Sequence, residues 1–296
     1  MSTGLAVTIY GLGAGVGWGL SNFIAAKASR KVGGMTTGFL LNTIGVIAYA
    51  IVYLIWLRPA TIHLTSSGVA YAIASGVFIT VGAMAFFSGL RIGPVSYVSP
   101  LSGTYPLVTT LMATILFGAL LTGQQVIGIL LIVLGALATA EVLQLGTVRR
   151  SIAKGPRLGL LTALLWGIGY SLLAQSITRL GWQTATFIEF WSIVAAFLVC
   201  LRFIMHREKH TARDMWLAAT NKHILVSGII SAGAGLLLNI GMSREASSGA
   251  LIAALSACYP AITIMLALRH FKEDVRIVPL LGAAISMMGV ICITLS

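Results

Sequence analysis

The sequence predicts an all-α membrane protein of ten transmembrane helices, arranged as two inverted five-helix repeats around a central cavity. Three observations predict it: the chain is too apolar for water, its apolar runs are long enough to span a bilayer ten times, and its two halves resemble each other. Of 296 residues, 9% are charged and 58% hydrophobic, and mean hydropathy is +0.98. A soluble domain carries about 25% charged residues. No soluble core could hide that excess of apolar surface, so lipid is the main solvent.

A spanning helix needs about 20 mostly apolar residues. Ten stretches qualify: 5–26, 35–57, 67–90, 94–119, 123–144, 158–178, 184–205, 222–243, 247–268 and 276–295. The runs are continuous rather than alternating, which excludes a membrane β-barrel. The N-terminus lacks the basic region of a signal peptide and reads as a retained first helix. Most links are short and force neighbouring helices antiparallel. Two are longer and basic: 145–157, with Arg149, Arg150, Lys154 and Arg157, and 206–221.

The net charge of +12 would suit nucleic acid, but the basic residues sit in short loops, as in membrane proteins that fix their orientation by charge. No nucleic-acid partner is expected. Most Lys and Arg follow odd-numbered spans; Arg58, Arg179 and Arg244 follow even-numbered ones. The positive-inside rule then makes the odd loops cytoplasmic and both termini periplasmic. Cys200, Cys258 and Cys292 are far apart in apolar runs, which excludes a disulfide framework and a zinc site.

Self-comparison finds a duplication. At an offset of 148, Trp18, Gly19, Ala26 and Gly33 meet Trp166, Gly167, Ala174 and Gly181. At 154, Ser102, Tyr105, Pro106, Thr109, Gly128 and Gly135 meet Ser256, Tyr259, Pro260, Thr263, Gly282 and Gly289. The repeats occupy 1–146 and 158–296, joined by the basic linker 147–157. Five helices is an odd number, so the second copy enters the membrane from the opposite side. Inverted repeats place a site near the bilayer midplane between them.

Candidate site residues follow. Trp18 and Asn22, like Trp166 and Tyr170, lie four apart on one helix face. Both tryptophans lie near mid-span, which suits a cavity wall better than an interfacial belt. The fourth span carries Pro100 and Pro106, with Ser99, Ser102, Gly103 and Pro106 on one stripe; its copy carries Ser256 and Pro260. Proline frees a carbonyl, and a bilayer tolerates that only against protein or a wet cavity. The same stripe would equally serve close packing around a kink. Tyr105 and Tyr259 lie beside these breaks. Asn239, like Asn42, is polar at depth. Glu189 lies a turn and a half into the seventh span, where it either snorkels to the headgroups or forms a proton or amine site. Gly11, Gly15 and Gly19 are helix-contact glycines, as are Ser231 and Gly235 on the eighth span. The five histidines lie near span ends. A P-loop and the HExxH pattern are absent, so direct ATP use, metal and catalytic groups are not expected.

This pattern resembles the drug/metabolite transporter superfamily, specifically its ten-helix EamA-type exporters, and is most similar to the bacterial aromatic amino-acid exporters. The resemblance covers the whole chain: Trp-Gly in the first helix of each half, and a proline-bearing fourth helix before a Gly-rich fifth. It implies secondary-active export of small metabolites by alternating access, from a monomer in the bacterial inner membrane, with protons as a candidate coupling ion and no cofactor. It also implies cytoplasmic termini, against the charge count. Family members carry an acid after the fourth helix of each half; Glu273 fits that place, but its counterpart is Ala119. Few buried charges favour a neutral or zwitterionic amphipathic solute. Broad drug export and phosphate or nucleotide-sugar antiport are the alternatives, the last requiring Lys or Arg inside the cavity.

Overall fold

The computed structural model describes residues 3–57, 59, 61–118, 120–140, 150–244, 252, 255–256, 258–273 and 277–295. Arg58, Ala119, Glu141, Arg149 and Glu245 lie outside the described residues. The elements are all helical: α1 Thr3–Val32, α2 Gly34–Val52, α3 Ser66–Ile92, α4 Val95–Ser102, α5 Tyr105–Phe117, α6 Gly123–Ala140, α7 Arg150–Leu180, α8 Trp182–Glu208, α9 Ala212–Ala219, α10 Lys222–Arg244, α11 Tyr259–Phe271 and α12 Ile277–Thr294. Seven stretches among them are long and apolar enough to cross a membrane, counting α4 with α5 as one, and Gly123–Thr139 is a shorter apolar helix. The chain is an integral membrane protein. Its outward apolar side chains, such as Leu130, Leu137, Val199 and Ile229, meet lipid instead of water.

Several local features depart from ten plain spans. The helix expected at 94–119 is broken at Gly103–Thr104, with Pro106 in the first turn of α5. The hydroxyls of Ser102 and Thr104 bond back to the Ser99 and Leu101 carbonyls of the same segment, at 2.8 and 2.7 Å, beside the backbone N–H groups of Gly103 and Thr104. The second span ends in a π-helical turn, Tyr53–Leu57. The link 206–221 contains α9, closed at its N-terminus by a reciprocal Thr211–Asp214 capping box. The backbone N–H of Thr211, and then its hydroxyl, hold the Asp214 carboxyl below the usual carboxylate range.

Close contacts repeat across the two offsets. Gly19 admits Ile262 so tightly that a Cβ would stand 2.5 Å from it; Gly167 admits Val108 in the same way, at 2.3 Å. Thr263 donates to the Gly19 carbonyl and Thr109 to the Gly167 carbonyl, each at 3.1 Å. On α6 and α12, Gly128 lies against Gly289 and Gly135 against Gly282, so these helices cross antiparallel with almost no side chain between them.

The packing pairs helices of one half of the sequence with helices of the other. α1 packs chiefly on α10, α3 on α7, and α6 on α12. α1, α2, α10 and α11 form one layer and α3, α4, α5, α7 and α8 the other, with α2 packed as closely on α3 and α8 as on its own layer. Each draws on both halves, because the small residues that allow close approach sit on the faces turned toward the other copy.

Candidate functional site

Between the layers lies a cavity of about 450 Å³. α1 contributes Trp18 and Asn22, α2 contributes Asn42, Gly45 and Tyr49, and α10 contributes Ser231, Gly235 and Asn239. Ser256 and Tyr259 close that side. Across from them stand Phe86 of α3, Tyr105 of α5, Trp166 and Tyr170 of α7, and Thr186, Glu189 and Phe190 of α8.

The wall is built from interlocked rings. Tyr105 and Tyr170 approach at 4.9 Å between centroids, Phe86 and Trp166 at 5.1 Å, and Tyr49 and Phe190 at 4.8 Å. Trp166 Nε1 donates to the Ile79 carbonyl at 3.3 Å, which fixes the indole while its face stays toward the space. Rings held this way offer apolar area at low entropic cost.

Glu189 is the acidic side chain of the wall. It is 3% exposed and accepts a hydrogen bond from Ser75 Oγ at 2.6 Å. It forms no ion pair among the described residues, whose ion pairs all involve Glu208 or Glu273. The carboxyl is held in the interior by Ser75 of α3 and does not reach the surface of the bundle, as snorkelling would require. The wall contains no Lys, Arg or His among the described residues. A buried, unpaired carboxylate is costly, so such a site calls for a proton or a cationic group.

Of the eleven polar and aromatic residues expected at the site, nine line this cavity: Trp18, Asn22, Tyr105, Trp166, Tyr170, Glu189, Asn239, Ser256 and Tyr259. Ser99 and Ser102 do not. Both are buried in α4, and Ser102 Oγ is spent on the Ser99 carbonyl. The break turns the α4 stripe into packing, and α5 brings Tyr105 to the cavity. Tyr49, Phe86 and Thr186 were not expected; their spans are so uniformly apolar that no periodic signal marks one face. Among the described residues no cluster of His, Cys, Asp or Glu could hold a metal ion.

The EamA-like transporter family matches residues 5–140 and again 153–295. An uncharacterized protein of Methanocaldococcus jannaschii is 30% identical over 128 residues, 43% of this chain and 90% of its own length. A solved crystal structure superposes with a TM-score of 0.59 at 19% identity, over 99% of this chain and 98% of that one. At that identity the likeness is one of fold.

Proposed function

We propose that this chain, which belongs to the EamA-like transporter family, is a secondary-active exporter of small amphipathic solutes, amino acids and aromatic ones among them, working by alternating access around the central cavity. The carrying observation is the wall itself: paired tryptophans and tyrosines, amides, and one unpaired carboxyl. Rings suit an apolar side chain, amides a carboxylate, and Glu189 an ammonium. Glu189 also makes a proton the candidate coupling ion. The reciprocal contacts of Gly19 with Ile262 and Gly167 with Val108 support two repeats related by a two-fold axis, since such an axis makes each contact occur twice. With α1, α6 and α11 counted as spans, the bundle has ten. A protein of this kind would sit in the bacterial inner membrane as a monomer, with the Lys/Arg-rich end in the cytoplasm.

Phosphate or nucleotide-sugar antiport is disfavoured, because among the described residues the wall offers no cation to a dianion. Export of cationic drugs is the second reading, favoured by Glu189 among aromatic rings. Purified protein in liposomes, given a panel of amino acids and organic cations with and without a pH gradient, separates the two. Saturable movement of an amino acid, weakened in parallel by Trp18→Ala and Trp166→Ala, supports the proposal. Movement of the cations alone selects the second reading, and flux that never saturates removes both.

A further inference from the structure

Two carboxylates outside the cavity do the same unusual thing. Glu208, at the end of α8, accepts from Met35 N and Thr36 N at 3.0 Å each and from Thr36 Oγ1 at 2.7 Å. Glu273, just after α11, accepts from Val95 N at 2.9 Å, Ser96 N at 3.0 Å and Ser96 Oγ at 2.6 Å. Each caps the N-terminus of a helix more than 170 residues away. Orphan N–H groups and the helix dipole make such an end a receptor for an anion. Here the protein supplies the anion, and its partners are all charge-assisted.

The arrangement is reciprocal. Glu208 and its arginine, Arg91 at 3.4 Å, belong to the α3–α7–α8 layer, and the capped helix is α2 of the other. Glu273 and its arginine, Arg30 at 3.2 Å, belong to the α1–α10–α11 layer, and the capped helix is α4 of the first. Each layer thus presents an arginine-backed carboxylate to a helix start of the other. Both lie at one end of the bundle, because Arg30 and Met35 are near neighbours in the chain. The side chains of Glu208 and Glu273 are 4% and 9% exposed, so both carboxylates are buried within the joint while their arginines face outward. Gly33, with φ +97°, permits it: a Cβ there would stand 2.2 Å from the Glu208 carboxylate.

Among the described residues the opposite end shows no such clamp. The first 140 residues contain no Asp or Glu. Where the second half has Lys272–Glu273, the first has Gly118–Ala119 at the 154 offset. Gly181, the counterpart of Gly33, has only the Gln183 side chain within 4 Å of its Cβ position.

We propose that Glu208 and Glu273 form a two-part gate that shuts the cavity at its Lys/Arg-rich end, and that this end opens when both helix starts leave their carboxylates together. The proposal rests on the transporter reading and supplies its gating residues.

The test reads access without any solute. In a chain with Cys200, Cys258 and Cys292 replaced by alanine, Gly45→Cys places a thiol in the cavity, at a position with open space around it. Arg213→Cys on α9, made separately, marks the basic side. An impermeant maleimide is applied to each side of oriented vesicles. With the gate intact, Gly45→Cys reacts slowly from the α9 side. Glu208→Gln with Glu273→Gln raises that rate about tenfold or more, and either alone raises it less, as expected for a minor open state made common. Thr36→Val with Ser96→Ala removes a donor from each clamp, keeps both charges, and gives a smaller rise; it replaces the acid variants if those misfold. An unchanged rate in either correctly folded pair overturns the gate. If the gate responds but no amino acid moves in liposomes, the export reading fails and the gate stands.

Discussion

Glu189→Gln separates the cavity's chemistry from its architecture. Gln has the same shape, and its amide oxygen still accepts from Ser75 Oγ, which now stands 2.6 Å from the carboxylate. The charge alone is removed. At 3% exposure and with no cation beside it among the described residues, the carboxylate contributes an unoffset desolvation cost to the empty protein. The variant is therefore expected to be at least as stable as the parent. Solute handling moves the opposite way. Losing one partner of a buried, hydrogen-bonded charge pair costs about 2–5 kcal/mol. Because every 1.4 kcal/mol is tenfold, KM for an amino acid should rise about 30-fold at the low end of that range. A cavity of about 450 Å³ leaves room for water beside a small solute, which screens the charge and favours the low end. Counterflow in liposomes gives KM, and thermal unfolding in detergent gives stability. A solute lacking the amine should be carried equally by both proteins. If the carboxyl instead carries the coupling proton, exchange survives and accumulation driven by a pH gradient is lost. An unchanged KM with accumulation intact, or a fall in thermal stability, would refute the reasoning.

Three further outcomes follow from packing. Gly135→Ala drives a Cβ to 2.4 Å from the backbone of α12 and should destabilise by about 1–3 kcal/mol, whereas Gly233→Ala, with open space around it, should gain up to about 1 kcal/mol; unfolding curves in detergent compare them. Thr109→Val and Thr263→Val each remove one member of the repeated 3.1 Å pair, and both should cost a similar amount, about 0.6 kcal/mol and no more than about 1.7. Gly45→Leu fits the fold but fills the wall, so it should abolish transport of the largest accepted solutes before that of the smallest, as read from relative rates across a size series.

What the sequence disclosed and what it hid have physical causes. The duplication was readable because a two-fold contact constrains both copies of a position: Gly19 and Gly167 must both be glycine if a helix is to pass at such a distance. The paired Trp positions were readable because i and i+4 share a face whatever the tertiary packing. Burial of Glu189 was not readable, since it depends on Ser75 of α3, 114 residues away. The roles of Glu208 and Glu273 were hidden more deeply. Their main partners are backbone N–H groups, which leave no mark on sequence; the family resemblance marked the place of Glu273 but not its partners, and nothing marked Glu208. The α9 helix was missed because eight amphipathic residues at a membrane surface carry no spanning signal. Ser99 and Ser102 lie in α4, before the Gly103–Thr104 break, and take the packing alternative that the stripe left open, while Tyr105 beyond the break reaches the cavity.

The central claim is that the space between Trp18, Trp166 and Glu189 holds the transported solute. Solute protection of the Gly45→Cys thiol tests it directly. The account predicts that a transported amino acid slows labelling in proportion to occupancy, with half-protection at its transport KM, while a non-transported isomer does nothing. Full transport with no slowing of labelling, at solute concentrations well above KM, would contradict it.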